Sequence, residues 1–163
     1  MTAEPLPRFQ SVHHVGITVS DVGRSAEFWA RLLGTTPHDQ RTLEGPQVGR
    51  MVGYPDVRIS RCWVDLPGGV ALELLEYLGR DDAPYDPGTA HPGNVHVCLQ
   101  VADMGVAHRH AVACGARPVS APVDVAAGPN AGARLAYLRD PDGVTIELVQ
   151  RPPGGEFSTG PGS

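Results

Sequence analysis

The chain repeats the stretch HVGITVSD (residues 14–21) as HVCLQVAD (residues 96–103), and the histidine, both valines and the aspartate are unchanged. In each copy apolar residues alternate with small or polar ones, which is the pattern of a β-strand with one face against a core. Each copy ends in an aspartate, a residue favoured at the N-cap of a helix. The repeat therefore predicts two copies of one unit, each of which opens with a strand and continues into a helix.

A second repeat lies downstream of each copy, GVALELL at residues 69–75 and GVTIELV at residues 143–149. Its alternation puts the central leucines and isoleucine on one face and sends Glu73 and Glu147 to the other. A carboxylate in the middle of an apolar strand is costly to bury unless it is paired or binds a metal. The first repeat likewise sends its histidines to the face with small and polar residues. Four groups therefore occupy equivalent positions of a duplicated unit: His14, Glu73, His96 and Glu147.

The composition fits one compact domain or two small modules around a shared core, and the repeat favours two modules. With 163 residues, 41% of them hydrophobic, and a net charge of −5, the chain lacks a basic field for nucleic acid or an anionic membrane. It contains no lysine, which excludes a Schiff-base mechanism. The cysteines, Cys62, Cys98 and Cys114, have no CxxC spacing, and no stretch is long and apolar enough to span a membrane. We therefore expect a cytoplasmic protein.

Both repeats occur in the same order within two βαβββ patterns. An amphipathic helix follows each first strand and ends at a glycine, Gly34 or Gly115. Later strands meet at a hairpin whose turn residues are LPGG (66–69) or DPDG (140–143). The chain is thus divided into an N-terminal arm (1–10), a first module (11–78), a linker (79–92), a second module (93–151) and a disordered tail (152–163).

Several of these motifs together resemble the vicinal oxygen chelate superfamily, which includes glyoxalase I, methylmalonyl-CoA epimerase, extradiol dioxygenases and bleomycin resistance proteins. In the first motif a valine lies five residues after the histidine, and an aspartate lies two residues after that valine. The other motifs are the helix with Phe28-Trp29 and Leu33-Gly34, and DPDG (140–143) with Ile146-Glu147-Leu148. The resemblance covers roughly residues 11–151. It implies an α+β fold in which two tandem βαβββ modules form a curved, cupped mixed sheet.

The resemblance also implies a divalent metal ion held by the first and last strands of each module. Matched residue by residue, its ligands are His14, Glu73, His96 and Glu147. A lone histidine at a sheet rim is more often only hydrogen-bonded, but duplication with two in-register glutamates favours a metal site. Two imidazoles and two carboxylates suit Ni, Zn, Co, Mn or Fe. The carboxylate at position 73 resembles glyoxalase-like members, whereas epimerases can have an amide there and extradiol dioxygenases typically keep two histidines and one glutamate.

Three functions are compatible with such a site. The first is glyoxalase-like or epimerase-like proton transfer, a lyase or isomerase reaction, through a metal-bound enediolate of a small carbonyl compound with adjacent oxygens. The second is an Fe(II) ring-cleaving dioxygenase or a tailoring oxygenase of natural-product metabolism. The third is a metal-free protein that binds a drug or metabolite. We favour the first, with Glu147 as both ligand and catalytic base and Glu73 as the next candidate.

The substrate pocket and the assembly are predicted from position. Candidate pocket residues lie on the cavity face or in the Gly/Pro-rich loops at 44–56 and 126–132: Arg50, Tyr54, Tyr77, Cys98 and Asn130. Glu76 points away from Glu73 and is expected to be solvated. Free sheet edges favour a homodimer, and neither a nucleic acid nor a membrane partner is expected. Whether the four ligands meet within one chain or across the dimer is left open.

Overall fold

A computed structural model describes residues 8–80 and 86–155 of the chain. The first module contains β1 (His14–Thr18), α1 (Val22–Leu33), β2 (His38–Glu44), α2 (Pro46–Val52), β3 (Arg58–Asp65) and β4 (Ala71–Tyr77). The second contains β5 (His96–Val101), α3 (Met104–Cys114), β6 (Arg117–Pro118), β7 (Val123–Asp124), β8 (Arg134–Arg139) and β9 (Thr145–Gln150). Most of the N-terminal arm and of the tail, residues 1–7 and 156–163, lies outside the described residues, so disorder of the tail stays a prediction.

Each module folds into a mixed sheet of its own. The strand order is β1-β4-β3-β2 in the first sheet and β5-β9-β8-β6 in the second, where β7 also pairs with β8. In both sheets the first strand runs parallel to the last, and the two hairpin strands are antiparallel. The predicted α+β class with two βαβββ modules is confirmed. Within the part of the chain that the structure describes, no strand pairing joins one sheet to the other.

The junctions between first strand and helix are built alike in the two modules. Asp21 and Asp103 each accept a hydrogen bond from the backbone N–H three residues further on, at 2.9 and 2.8 Å, which confirms the predicted N-caps. Gly34 and Gly115 follow the two helices in the left-handed conformation, at φ 68° and 108°. Over residues 8–80 and 86–155, no helix is long and apolar enough to cross a membrane.

The last strand of each module supplies a further acceptor to the start of the helix. The Glu76 carboxylate accepts a hydrogen bond from the backbone N–H of Val22 at 3.0 Å, and the Gln150 side-chain oxygen accepts one from that of Met104 at 2.7 Å. Both bonds satisfy N–H groups that a helix leaves without a partner in its first turn. The expectation that Glu76 is solvated is therefore wrong, because its carboxylate caps α1.

The region between helix and hairpin differs from the prediction in the first module, whereas the loop predicted at 126–132 in the second module contains no helix or strand. The loop predicted at 44–56 contains α2, which has a proline in its first turn and ends at Gly53, a residue with φ 78°. In the second module the equivalent region forms only β6 and β7, with two residues each. Pro118 and Pro122 interrupt this stretch, and proline has no N–H to donate to a strand pair.

One core joins the two modules. Leu72 and Leu74 of β4 and Ile146 and Leu148 of β9 are buried in a single cluster with Trp29 of α1. These are the apolar residues that alternate with Glu73 and Glu147 along the same strands. The core-facing sides of both sheets are thus covered, and the sides that carry the two glutamates face away from it.

Asp142, in the DPDG hairpin of the second module, ties that module to the start of α1. Its carboxylate accepts hydrogen bonds from the hydroxyls of Ser20 (2.5 Å) and Ser25 (3.0 Å) and from the guanidinium of Arg24 (2.6 Å). Burial raises the pKa of Asp142, but these hydrogen bonds and the charge of Arg24 together hold the pKa below its ordinary value. The hairpin motif therefore has a structural role between the modules.

Candidate functional site

The first predicted pair lies on two neighbouring strands of the first sheet. β1 and β4 run parallel, and Gly16 lies opposite Glu73. This register brings His14 Nε2 to 3.2 Å from the Glu73 carboxylate. The histidine side chain is 37% exposed and the glutamate 17% exposed, so the pair is open to solvent from one side.

The second pair repeats this arrangement in the second sheet. β5 and β9 run parallel, Cys98 lies opposite Glu147, and His96 Nε2 is 2.9 Å from the Glu147 carboxylate. Its exposure is similar, at 42% for the histidine and 14% for the glutamate. The duplicated sequence thus gives two nearly equivalent histidine–carboxylate pairs.

A single chain presents these pairs as two half-sites. Among the residues the structure describes, no group of three or more histidine, cysteine, aspartate or glutamate side chains is placed to hold one ion. Each pair belongs to its own sheet, and over residues 8–80 and 86–155 the two sheets are not joined by strand pairing. Within this single chain the four predicted ligands do not come together at one ion. That all four bind one ion therefore stays a prediction.

The donor groups of each half-site fit a divalent cation. Each offers an imidazole nitrogen beside a carboxylate oxygen, the donor types that first-row transition metals accept. In the first pair, Nδ1 of His14 lies 2.8 Å from Nδ1 of His13. A hydrogen bond through Nδ1 fixes the His14 ring so that Nε2 faces Glu73. Metal-binding histidines are usually oriented in this way, by a hydrogen bond through the ring nitrogen that does not bind the metal.

An aromatic ring stands beside each histidine. Trp63 lies opposite Glu73 in the β3–β4 hairpin, and its ring centre is 5.2 Å from that of His14. Tyr137 lies opposite Glu147 in the β8–β9 hairpin, and its ring centre is 5.6 Å from that of His96. Neither ring is predicted from the sequence pattern, although each is the cross-strand partner of a predicted glutamate in a predicted hairpin.

Arg61 is the second group that sequence reasoning missed. It lies two residues before Trp63 on β3 and is only 8% exposed. Its guanidinium donates to Asp39 at 2.5 Å, approaches the Glu73 carboxylate at 3.9 Å, and lies 5.1 Å from the centre of the Trp63 ring. A buried cation between two carboxylates restrains both of them.

The two half-sites differ at this position. Arg61 lies opposite Leu75 on β4, and the equivalent residue of the second module, Leu135, lies opposite Val149 on β9. A guanidinium beside one glutamate is thus replaced by an apolar side chain beside the other. The duplicated site is therefore electrostatically asymmetric.

Cys98 is the predicted pocket residue that the structure places directly beside a candidate ligand. Partial burial, together with the neighbouring Glu147 carboxylate, raises the pKa of the Cys98 thiol to about 12. The same two causes raise the pKa of Tyr137. Both groups therefore stay neutral at physiological pH, and the neutral Cys98 thiol is a poor nucleophile.

The other predicted pocket residues lie at different places. Tyr77 and Tyr54 form an edge-to-face pair with ring centres 5.9 Å apart, at the end of β4 four residues beyond Glu73. Arg50 is exposed on α2, and the backbone carbonyl of Asn130 closes a turn in the second module. The structure thus brings the two tyrosines together, and contact of any of these four residues with a substrate stays a prediction.

Comparisons with known proteins agree with this fold. Residues 13–137 match the family described as the glyoxalase/bleomycin resistance protein/dioxygenase superfamily. The chain is similar to a glyoxalase family protein from Bacillus cereus of known structure, with a TM-score of 0.75, 23% identity and coverage of 92% of this chain and 99% of that one. At that identity the similarity shows the fold alone. Glu147 follows the matched range, so its assignment rests on the repeat and on strand register.

Curated relatives include two kinds of enzyme. A 2-epi-5-epi-valiolone epimerase from Actinomyces sp is 30% identical, over 96% of this chain and 88% of the relative. The mitochondrial methylmalonyl-CoA epimerase of Homo sapiens is 29% identical, over 85% of this chain and 73% of the relative. A lactoylglutathione lyase from Pseudomonas aeruginosa is also 29% identical, over 91% of this chain and 86% of the relative.

Proposed function

Because this chain belongs to the glyoxalase/bleomycin resistance protein/dioxygenase superfamily, we propose that it is a divalent-metal-dependent vicinal oxygen chelate enzyme that moves a proton in a small carbonyl compound. Two epimerases and a lyase among its relatives support this reaction class. The observation that carries the proposal is the pairing of a histidine with a glutamate at equivalent positions of both modules, at 3.2 and 2.9 Å.

The proposed metal would be held by the two half-sites together, through His14 and Glu73 from a first module and His96 and Glu147 from a second. When bound, a divalent ion supplies a Lewis acid that stabilises negative charge on the adjacent oxygens of the substrate. Ni, Zn, Co, Mn and Fe all suit two imidazoles and two carboxylates. The chain itself supplies the groups that orient the substrate and transfer its proton.

We propose that two copies of the chain complete the site. β1 and β5 each pair with one neighbour only in the described sheets, and each edge strand carries one of the histidines. Val12, two residues before His14, and Val95, directly before His96, are 65% and 69% exposed. Association of β1 of one copy with β5 of another would cover these edges. It would also join the first half-site of each copy to the second half-site of the other, so that a symmetric dimer contains two complete sites.

Glu147 is the residue we propose as the base, because its surroundings leave it freer than Glu73. Glu73 is restrained by the guanidinium of Arg61 at 3.9 Å. Glu147 instead lies beside the neutral Cys98 thiol and opposite Tyr137. Apart from His96, no basic side chain among the described residues is paired with Glu147, and a carboxylate that no guanidinium holds can turn toward the substrate carbon, take the proton next to the carbonyl and return it.

Proton exchange with solvent tests this assignment. With the metal-loaded protein and a panel of α-hydroxyketones such as dihydroxyacetone in D₂O, the parent should catalyse exchange of the α-proton, and Glu147→Gln should lower the rate about 10²-fold or more. Glu147→Gln should also weaken metal binding less than His96→Ala does. Exchange at the parental rate in Glu147→Gln would place the base elsewhere, with Glu73 tested next.

Metal analysis and oxygen dependence separate this function from the alternatives. The proposal predicts one bound divalent ion per chain in the dimer and turnover that does not depend on O₂. Turnover that needs both iron and O₂ would instead identify an oxygenase. A protein that binds no divalent ion would contradict the metal-dependent mechanism and favour a binding protein.

A further inference from the structure

A cavity of about 500 Å³ opens beside the first half-site, at the start of β1 and next to the β3–β4 hairpin. Its size lies within the range of roughly 300 to 1,000 Å³ that is typical of small-molecule sites. Trp63 lines this cavity, and the same ring contacts His14 at 5.2 Å between ring centres. The cavity therefore begins one side chain away from the pair formed by His14 and Glu73.

The polar lining of the cavity combines the carboxylates of Asp39 and Asp65 with the imidazoles of His13 and His38 and the hydroxyl of Ser11. Asp65 lies 3.3 Å from Nε2 of His38 and is 66% exposed, so its carboxylate is oriented by the imidazole while its remaining lone pairs face solvent. Asp39 accepts hydrogen bonds from the guanidiniums of Arg41 and Arg61 through the same oxygen, Oδ2. Its other oxygen, Oδ1, therefore remains available as an acceptor. Two carboxylates thus offer acceptor positions along one wall.

Asp39 and Asp65 each already have a basic partner, so this wall favours a neutral ligand over an ionic one. An anion would meet the carboxylates of Asp39 and Asp65. An ammonium group would gain little from Asp39, because two guanidiniums already pair with that carboxylate, and it would compete with His38 for Asp65. A neutral hydroxyl can donate to either acceptor without adding charge, which makes it the donor that fits this wall best.

The remaining lining suits the carbon atoms of such a ligand. Leu66 and Val70 of the hairpin and the ring of Trp63 form an apolar surface in the same cavity. An aromatic ring offers a broad apolar face to C–H groups at little cost in conformational entropy. Hydroxyls on one edge and C–H groups on the other face are the features of a polyhydroxylated ring or short chain.

We propose that this cavity is a second subsite, which binds a neutral, hydroxyl-bearing part of the substrate while the reacting oxygens lie at His14 and Glu73. Asp65 and Asp39 accept hydrogen bonds from its hydroxyls, and Trp63 covers its carbon face. The inference rests on the proposed function, because it names the class of substrate for the same site: a polyhydroxylated carbonyl compound without a charged group at this end.

The second module lacks the equivalent acceptor. Tyr137 takes the place of Trp63, and Arg139, opposite Thr145, takes the place of Asp65, opposite Ala71. The Arg139 guanidinium donates to the hydroxyl of Thr145 within its own hairpin. In a site assembled from both modules, the hydroxylated part of the substrate therefore lies toward the first module, which fixes its orientation.

Intrinsic fluorescence of the metal-free full chain provides the test, with myo-inositol as a neutral hydroxylated probe. The chain has two tryptophans, and Trp29 is fully buried, so a change on titration reports on Trp63. We expect a saturable change with a Kd in the millimolar range, as is normal for a fragment of this size. Cyclohexanol should bind at least about tenfold more weakly, because it lacks most of the hydroxyls. Tighter binding of myo-inositol 1-phosphate or of cyclohexylammonium than of myo-inositol would overturn the assignment to a neutral group.

A pair of matched variants locates the binding. Asp65→Ala should weaken the binding of myo-inositol about tenfold or more. Asp124→Ala removes another exposed aspartate, which is paired with Arg134, and should leave the affinity for myo-inositol unchanged. Trp63→Phe should abolish the fluorescence change and weaken binding measured by calorimetry. Equal affinity of Asp65→Ala and the parent, or no saturable change in the parent, would refute the subsite. Thermal melts of each variant confirm that it is folded.

Metal binding separates failure of the subsite from failure of the proposed function. Asp65→Ala should bind Zn²⁺ like the parent, because Asp65 is not one of the four proposed ligands. If the parent binds Zn²⁺ but not myo-inositol, the subsite is wrong and the metal-dependent function stands. If it binds myo-inositol but no divalent ion, the metal-dependent function fails and the cavity remains a binding site for a hydroxylated ligand.

Discussion

Replacement of Asp142 by asparagine should lower stability by an amount that depends on pH. The change removes the negative charge that accepts hydrogen bonds from Ser20, Ser25 and Arg24. Each hydroxyl bond to this largely buried carboxylate contributes about 1 to 1.5 kcal/mol, and the ion pair, whose Arg24 side chain is 50% exposed, contributes at most about 1 kcal/mol. Asparagine keeps one acceptor oxygen, so we expect a loss of about 2 kcal/mol and a melting temperature lower by about 4 to 8 °C.

The pH dependence follows from the lowered pKa of Asp142. Since the folded-state pKa lies below the ordinary value of 3.8, the carboxylate stabilises the fold fully at pH values above 3.8, and this contribution is lost as the pH falls through the folded-state pKa. The difference in unfolding free energy between parent and Asp142→Asn should therefore be constant near neutrality and shrink below about pH 4.

Urea denaturation of both proteins at several pH values measures this difference. Asp124→Asn serves as the control, because the Asp124 side chain is 80% exposed and its loss should change stability by less than about 0.5 kcal/mol. A difference for Asp142→Asn below about 0.5 kcal/mol at pH 7, or one that stays constant to the acid limit of the folded state, would refute the role of this hairpin in joining the modules.

Three further predictions concern the site. Arg61→Leu should cost about 1.5 kcal/mol in urea denaturation, because it removes a buried charged hydrogen bond while Asp39 keeps Arg41 and Glu73 keeps His14; unchanged stability would show that the cation does not restrain them. His13→Ala should weaken Zn²⁺ binding in calorimetry about tenfold by releasing the His14 ring, and parental affinity would contradict this. Cys98 should be alkylated slowly by iodoacetamide at pH 8, because its pKa is about 12, and Glu147→Gln should speed the reaction followed by mass spectrometry; equal rates would remove Glu147 as a cause.

The features that the sequence predicts correctly are those set by local pattern. Strand alternation places His14 and Glu73 on one face, and the same alternation in the second repeat places Glu147. The capping aspartates and terminating glycines depend only on residues within one turn of the helix. Because two copies of the pattern occur, each prediction for one module supports the other.

The features that it misses depend on register between strands. Trp63 and Arg61 reach the site only because β3 pairs with β4 in a particular register, and alternation within β4 alone does not reveal them. Glu76 caps α1 although it lies more than fifty residues away in the chain. α2 was missed even though its proline and Gly53 are local signals, because the Gly/Pro-rich composition of 44–56 favours a loop.

The central claim is that a histidine and a glutamate from each module, contributed by two copies of the chain, hold one ion. Mixing His14→Ala and His96→Ala chains by reversible denaturation tests it directly. Each variant alone should lack a complete site, but a mixed dimer joins the intact first module of one chain to the intact second module of the other. Random mixing makes half the dimers mixed, each with one complete site, so zinc binding should recover to about a quarter of the parental stoichiometry. No recovery, in mixtures shown by native mass spectrometry to contain the mixed dimer, would contradict the claim.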